Sequence, residues 1–213
     1  MVSLTYLFHF CQSSGLIVSG SAESPQSRAH VGCHIATLDS CREARRASPA
    51  TKSNTLEKVS IFVDVQNIYY TCRQTYQRNF DYNRFWAQAT KGRELIAAYA
   101  YATDKGDAKQ MQFQSILHAI GFTVKLKPVL KRRDGSTKAD WDIGIALDVY
   151  EAASECDTVV LATGDGDFGL LLNRIKKRFG TDCEVYGVPA LTSDLLTCEA
   201  SKFFAIDQQL LLR

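Results

Sequence analysis

The sequence predicts an α/β fold in which helices cover both faces of a mostly parallel β-sheet. From about residue 56 onward, short runs rich in β-branched residues alternate with longer segments of helical periodicity. Strands and helices that alternate in this way join through crossover connections, which make neighbouring strands parallel. The chain has 213 residues, of which 46% are hydrophobic, so it is long enough for one such domain with a single core.

The first half of the predicted domain contains three strands and three helices. A β-branched run ends at Asp64, and a helix follows it. Asp81 is a candidate N-cap for a second, short helix, and Gly121 is suited to end the third helix. In chain order, these elements are a strand at 58–65, helices at 67–79 and 82–90, a strand at 94–103, a helix at 107–120 and a strand at 122–130.

The second half continues the alternation. A polar loop at 131–138 precedes a helix at 139–154. A fourth strand at 158–163 leads into the turn ATGDGDFG at 162–169, and the helix after this turn ends at Gly180. The series is completed by segments 183–188, 191–201 and 203–206.

Residues 1–55 are rich in Ser, Ala, Thr and Arg and lack a sustained period, so we expect a poorly ordered N-terminal extension before a folded domain at 56–213.

The net charge is +2, from 25 basic and 23 acidic residues, so any nucleic-acid-binding surface must be local. Seven scattered cysteines form no C-x-x-C pair, which is typical of reduced intracellular thiols. No stretch approaches ~18 uninterrupted apolar residues, so we predict a cytoplasmic protein without a membrane span.

Carboxylates recur where the predicted strands end. Asp64 ends the first strand, and Asp165 and Asp167 follow the fourth. In an open parallel sheet the ligand crevice lies beyond the carboxyl ends of the strands, where strand order reverses. The helix before the fourth strand begins with Asp140 and Asp142. The sequence does not fix which end of the sheet this helix start approaches, and a shared site requires it to border the crevice.

If these side chains converge, they form an all-oxygen cluster without histidine. Like charges close together raise one another's pKa unless a cation compensates them. Hard oxygen donors suit Mg²⁺ or Mn²⁺, which can activate water and neutralise the charge that develops on a phosphate during hydrolysis. The pattern therefore predicts a divalent metal site suited to phosphate ester chemistry.

The turn after the fourth strand has a second interpretation. Gly164, Gly166 and Gly169 have the G-x-G-x-x-G spacing of a dinucleotide-binding loop. Asp165 and Asp167 inside such a loop would repel a pyrophosphate, and the motif follows a late strand rather than the first. The glycines therefore favour a tight turn that presents both aspartates.

Several polar residues near the predicted site also have structural explanations. Asp142 and Asp167 can each be a helix cap and nothing more. Asn67 can be a cap, or it can hydrogen-bond substrate or a metal-bound water. Asp148 follows Asp142 by six residues, so the two cannot share a helix face, and we leave Asp148 outside the predicted site.

Residues 125–138 carry six basic residues against one acidic residue. A solvated loop explains such a run, but its position directly before Asp140 and Asp142 favours attraction of a phosphate backbone beside the acidic centre. The substrate-binding candidates in the run are Arg132, Arg133 and Lys138.

An aromatic group in the first two helices can stack nucleic-acid bases. Its helical spacing favours packing in the core instead. Its members are Tyr69, Tyr70, Tyr76, Phe80, Phe85 and Trp86.

Three blocks of sequence resemble the NYN domain, a PIN-like nuclease fold, and specifically its bacterial uncharacterised branch. The blocks are IFVDVQNIYY at 61–70, KADWDIGIALD at 138–148 and TGDGDF at 163–168, and the resemblance covers roughly Val59 to Asp207. It implies a Rossmann-like, three-layer α/β/α sandwich whose acidic pocket binds one or two Mg²⁺ or Mn²⁺ ions and cleaves RNA through a metal-activated water. The sequence departs from the family pattern at Ala139 and Gly169, which bears on loop geometry and removes no ligand.

The resemblance also implies roles for individual residues. Asp142 lies in the family's pocket, Asn67 is a polar neighbour of the acids, and Lys138 is a phosphate contact. The implied function is a divalent-metal-dependent ribonuclease, and a non-catalytic RNA-binding or regulatory module with the same pocket is the alternative. Single-stranded or structured RNA is the expected partner, and self-association as a homodimer is left open. The implied catalytic and metal-binding residues are Asp64, Asp142, Asp165 and Asp167.

Overall fold

The computed structural model of the chain describes residues 56–104, 106–128, 130–131, 137–138 and 140–213, and of residues 130, 131, 137 and 138 it describes the backbone alone. The predicted N-terminal extension therefore lies outside the described residues. The strands are β1 (Glu57–Asp64), β2 (Arg93–Asp104), β3 (Thr123–Pro128), β4 (Leu130–Lys131), β5 (Thr137–Lys138), β6 (Thr158–Ala162), β7 (Asp182–Gly187) and β8 (Lys202–Ala205). The helices are α1 (Val65–Tyr76), α2 (Tyr82–Ala89), α3 (Ala108–Ile120), α4 (Asp142–Ala152), α5 (Phe168–Phe179) and α6 (Asp194–Glu199), with single 3₁₀ turns at Pro189–Leu191 and Gln208–Leu210.

Six strands form one sheet in the order β3-β2-β1-β6-β7-β8, and every pairing in it is parallel. Strand order runs outward in one direction from β1 and in the other direction from β6, so it reverses between these two central strands. Helices lie on both sides of the sheet. The predicted α/β class with a mostly parallel sheet is therefore confirmed.

The sheet is buried on both faces because its central strands are continuously apolar. In β1, Ile61 and Phe62 are both fully buried, but they face opposite sides of the sheet because side chains alternate along a strand. Ile61 packs in the core that includes Leu117 of α3, and Phe62 packs in the core that includes Leu172 of α5. Burial of such side chains stabilises the fold by roughly 1.5–3 kcal/mol each.

The helix boundaries follow local capping. Asp81 caps α2, since its carboxylate accepts hydrogen bonds from the backbone N–H groups of Asn83 and Arg84, both at 3.1 Å. Gly121 ends α3 with a φ of 125°, which favours glycine. Both capping predictions are confirmed. The first helix begins at Val65 rather than at residue 67, because Asp64 itself caps it.

The polar segment at 131–138 differs from the prediction of a simple loop. Its ends form a short antiparallel pair, in which Leu130 pairs with Lys138 and Lys131 pairs with Thr137. The helix that follows starts at Asp142 rather than at residue 139. Within the described residues, no helix combines the length and the apolar character that crossing a bilayer demands.

Candidate active site

The predicted acidic residues lie at the carboxyl edge of the two central strands. Asp64 is the last residue of β1, and the turn that carries Asp165 and Asp167 follows β6 directly. Because strand order reverses between β1 and β6, this is the position where an open parallel sheet leaves a crevice for a ligand.

Asp64 forms the buried part of the site. It is only 9% exposed, and one carboxylate oxygen accepts a hydrogen bond from the backbone N–H of Asn67 at 3.0 Å. The pKa of Asp64 is raised from 3.8 to about 6, chiefly by burial, against the opposing effect of the Asn67 hydrogen bond. The nearby charges of Asp142 and Asp165 make smaller contributions to this increase.

Asp142 is the first residue of α4 and is half-buried. Burial raises its pKa, and the charges of Asp165, Asp140 and Asp167 raise it in that order of size. Carboxylates from β1, from α4 and from the turn after β6 thus repel one another across one crevice. The structure thus brings together side chains as far apart in sequence as Asp64 and Asp165.

Trp141 places the start of α4 at this edge of the sheet. Its indole N–H donates a hydrogen bond to the backbone oxygen of Ala102, near the carboxyl end of β2, at 2.8 Å. Its ring packs edge-on against Tyr101, with 5.3 Å between ring centroids. Because Asp142 is the next residue, these contacts position its carboxylate at the crevice, a placement that the order of elements along the chain leaves open.

Backbone N–H groups of the turn are engaged by side chains of the protein. The N–H of Gly164 donates to the amide oxygen of Asn67 at 2.9 Å, and the N–H of Asp165 donates to the Thr163 hydroxyl at 3.3 Å. The N–H of Asp167 donates to Oδ1 of Asp165 at 3.0 Å. A dinucleotide-binding loop needs such groups for its phosphates, so the dinucleotide interpretation loses its physical basis.

Two glycines of the turn are required by close packing rather than by an unusual φ angle. A Cβ at Gly164 would lie 2.7 Å from the backbone oxygen of Leu191, and a Cβ at Gly166 would lie 2.5 Å from the Ser193 hydroxyl. Neither glycine has a positive φ. The segment at 191–193 therefore packs directly against the backbone of the turn.

Gly169, where the sequence departs from the family pattern, has a similar explanation. It is the second residue of α5, and a Cβ there would lie 3.2 Å from the backbone oxygen of Leu195 in α6. The small residue lets α5 and α6 approach each other closely.

Helix capping explains the acidic residues only in part. Asp64 does cap α1. Asp167 occupies the N-cap position of α5 and Asp142 the first position of α4, but neither helix has a side-chain capping hydrogen bond. Asn67 joins the end of β1 to the turn after β6, since its backbone contacts Asp64 and its side chain contacts Gly164. Its amide oxygen thus holds two parts of the site together.

The structure describes the other residues named in the sequence analysis only in part. Arg132, Arg133 and Ala139 lie outside the described residues, and of Lys138 only the backbone is described. Asp148, which lies outside the predicted site, accepts hydrogen bonds from the Tyr101 hydroxyl at 2.5 Å and from the Lys125 ammonium group at 2.6 Å.

Two lysines of the basic run therefore serve the fold. Lys125 forms the ion pair with Asp148, and the ammonium group of Lys127 donates to the backbone oxygen of Asp140 at 2.8 Å.

Sequence reasoning missed Trp141 as a positioning residue. The only signal was a large aromatic residue between two acids at a predicted helix start, which does not reveal the contact with Ala102.

The donor set fits a hard divalent cation. The crevice offers carboxylate oxygens, and their mutual repulsion is of the kind that a cation relieves. In the described part of the chain, no group of three or more His, Cys, Asp or Glu side chains is already arranged to hold a metal ion.

Fold and site together define a Rossmann-like α/β domain with an acidic crevice at the reversal of strand order. The family model of the NYN domain matches residues 58–207, so the chain belongs to the NYN domain family, a PIN-like and ribonuclease-related group. The resemblance read from the three sequence blocks is confirmed.

Two similar proteins are bacterial. The Low amplitude and bright protein LabA of Synechococcus elongatus is 32% identical over 123 residues, which cover 52% of this chain and 63% of LabA. The crystal structure of a protein of unknown function from Vibrio parahaemolyticus RIMD 2210633 is 53% identical, with a TM-score of 0.73, and the match covers 76% of this chain and all of that one. The likeness to the Vibrio protein thus includes both sequence and fold.

Proposed function

We propose that the protein is a divalent-metal-dependent ribonuclease. Asp64, Asp142, Asp165 and Asp167 would hold Mg²⁺ or Mn²⁺ in the crevice at the carboxyl edge of β1 and β6. The ion, when bound, would supply an activated water and neutralise the charge that develops on the scissile phosphate. Membership of the ribonuclease-related NYN family supports RNA as the substrate class.

The observation that carries this proposal is the electrostatic conflict at Asp64. A carboxylate that is only 9% exposed, with its pKa raised to about 6, lies near the charges of Asp142 and Asp165. Such an arrangement is costly for the fold unless a cation compensates it. Strongly perturbed groups in a crevice are typical of functional sites.

The residues of the crevice have different tasks in this account. The Asp64 carboxylate is held in place by the hydrogen bond that it accepts from the backbone N–H of Asn67, so it would supply a preorganised oxygen donor. Asp165 is half-buried and orients the turn through the N–H of Asp167. Asp167 is exposed at the N-cap position of α5, and its carboxylate would complete the set of oxygen donors.

A non-catalytic RNA-binding module is the second candidate. The observation that favours it is that no three potential ligands of the described chain are prearranged around a metal ion. A crevice that never gathers its ligands would hold RNA without cutting it.

Cleavage of a labelled single-stranded RNA, with Mn²⁺ or with EDTA, tests the proposal. We expect the full chain to shorten the RNA only with Mn²⁺, and we expect Asp165→Asn to lower the rate about 100-fold or more, because several kcal/mol of transition-state stabilisation are lost. Glu151→Gln is the matched control, since it makes the same carboxylate-to-amide change at an exposed position near the far end of α4.

The outcomes separate the two candidates. RNA that is retained by the wild-type protein but never shortened supports the binding module. Undiminished Mn²⁺-dependent cleavage by Asp165→Asn contradicts the assignment of the crevice as the catalytic centre. Thermal unfolding of both variants shows whether a loss of rate reflects a loss of fold.

A further inference from the structure

A cavity of about 550 Å³ opens beside the acidic crevice. Its wall includes Val65 and Gln66, which directly follow Asp64, and Ala102 and Thr103 at the carboxyl end of β2. It therefore lies at the same edge of the sheet as the crevice, between α1, α2 and α3. The volume falls within the range of about 300–1,000 Å³ that is usual for ligand sites.

Two exposed tyrosines of α1 line this cavity. Tyr69 is 48% exposed and Tyr70 is 43% exposed, and their rings meet edge to face with 5.4 Å between centroids. Phe80 and Phe85, from the same aromatic group of the sequence, are buried in the core. Core packing thus accounts for part of that group but not for the two tyrosines.

The polar groups of the cavity suit a heterocyclic base. Gln66, Asn79 and Asn83 are exposed amides, which can both donate to and accept from the edge of a base. The two carboxylates at the wall cap helices instead: Asp81 accepts from the backbone of α2, and Asp107 accepts from the N–H of Gln110 in α3 at 2.7 Å.

Lys109 adds a positive charge to the same wall. A single-stranded nucleic acid needs an aromatic face for stacking and a cation for its backbone, and the cavity offers both. A free dinucleotide is the weaker occupant, because the N–H groups of Gly164 and Asp165 in the neighbouring turn are already engaged.

We propose that this cavity is a nucleobase subsite, in which Tyr69 and Tyr70 stack a base of the RNA strand whose phosphate lies at Asp64. The proposal rests on the proposed ribonuclease function and adds to it the substrate feature that the protein recognises. It predicts that the protein binds an unpaired strand, since a base in a duplex cannot enter the cavity.

Fluorescence anisotropy with two probes tests the subsite. One probe is fluorescein-labelled octauridylate, and the other is an abasic ribose-phosphate strand of the same length. The measurements use the full chain with Asp165→Asn as the common background, with Mn²⁺ present, so that bound RNA stays intact. Adding Tyr69→Ala or Tyr70→Ala is expected to weaken octauridylate binding about 5-fold or more and to leave the abasic probe unchanged.

Three further variants sharpen the test. Tyr69→Phe and Tyr70→Phe keep the ring and are expected to retain most of the affinity for octauridylate. Met111→Ala shortens a side chain of α3 that is 57% exposed and lies outside the cavity wall, and it is expected to change neither affinity. Since both tyrosines are largely exposed, the alanine variants are expected to melt close to the background protein.

The possible failures are distinguishable. Full octauridylate affinity in the Tyr69→Ala, Tyr70→Ala double variant overturns the subsite and leaves the ribonuclease proposal intact. Equal losses for both probes also overturn it, because the lost contact is then not with a base. If the background protein binds neither probe, or shortens octauridylate as fast as the wild-type protein does, the assumed function of the crevice fails first and the subsite fails with it.

Discussion

Asp64 has two opposite effects on the stability of the fold. Its carboxylate caps α1 and thus orients the helix that follows β1. The same position is buried and close to Asp142 and Asp165, which raises its pKa to about 6. The charge that the proposed function needs at neutral pH is therefore unfavourable for the metal-free fold, as is common at functional sites.

We predict that Asp64→Asn stabilises the metal-free protein at neutral pH. Between pH 4 and 6 the folded wild-type protein binds more protons at Asp64 than the unfolded chain does, because the folded pKa is about 6 against 3.8. The free energy of unfolding contributed by this group therefore falls as pH rises through that window. Above it, the asparagine variant is expected to be more stable by roughly 3 kcal/mol, from about 1.4 kcal/mol for each pKa unit between 3.8 and about 6.

Urea unfolding in EDTA between pH 4 and pH 8 measures this difference. The advantage of the variant should be largest at the upper end and disappear toward pH 4. Glu151→Gln, at an exposed position, should show no such trend. A variant that is less stable than wild type at every pH would contradict the electrostatic account of Asp64.

At the scale of single residues, the sequence predicts where a side chain lies only if that residue adjoins the end of a predicted strand. Asp64, Asp165 and Asp167 could be predicted to lie at one edge, because each adjoins the end of a strand. The position of Asp142 could not be derived from the residues alone, since it depends on the contact between Trp141 and Ala102. The family resemblance supplied it instead.

Among the elements, α4 depends on an aromatic and ionic network at its start and along one face. Trp141 binds the backbone of β2 and contacts Tyr101, whose hydroxyl donates to Asp148, about two turns further along α4. Lys125 of β3 completes the network through its ion pair with Asp148, and its ammonium group lies 4.3 Å from the ring centroid of Tyr99. Together these contacts fix the direction of α4 relative to the sheet.

We predict that Trp141→Phe weakens metal binding more than it weakens the fold. The variant keeps an aromatic ring but loses the hydrogen bond to Ala102, so the first turn of α4 and Asp142 are less well positioned. Loss of one such supporting contact is expected to lower Mn²⁺ affinity about 10-fold, and the free energy of unfolding by about 1 kcal/mol.

Calorimetric titration with Mn²⁺ and urea unfolding provide the two measurements. Trp86→Phe is the matched control, because Trp86 packs against Gly121 and Phe122 at the start of β3, away from the crevice. It should change stability and leave Mn²⁺ affinity as in wild type. Equal Mn²⁺ affinity in Trp141→Phe and wild type would show that the indole has no part in placing Asp142.

Most elements could be predicted from the sequence because their signals are local. The buried run of β6 and the glycine that ends α3 are examples. The pair formed by β4 and β5 was missed because each strand has two residues inside a polar run, and no periodicity can appear over that length.

In the whole molecule, the two edges of the sheet have different roles. At the amino edge, Arg93 forms two hydrogen bonds of 2.8 Å to Glu184 and one of 3.1 Å to Glu57, so opposite charges neutralise one another. At the carboxyl edge, Asp64 and Asp142 repel each other and have no such partner described. Opposite charges are thus paired at one edge of the sheet, whereas like charges lie close together at the other.

Strand order was the part of the fold that the sequence could not supply. Alternating strands and helices predict parallel neighbours, but they do not specify that β6, rather than β3, lies beside β1 on the side opposite to β2. That neighbour relation depends on long-range packing of Phe62 and Leu161 in the core shared with α4 and α5. Because β6 lies beside β1, the turn after β6 lies next to Asp64.

Anomalous diffraction from crystals grown with Mn²⁺ tests the convergence of these distant segments most directly. We predict a Mn²⁺ peak in the crevice, about 2.1 Å from carboxylate oxygens of Asp64 and of at least one residue among Asp142, Asp165 and Asp167. A crevice that stays without a Mn²⁺ peak at a concentration that supports RNA cleavage, or a peak bound only by other residues, would contradict the account.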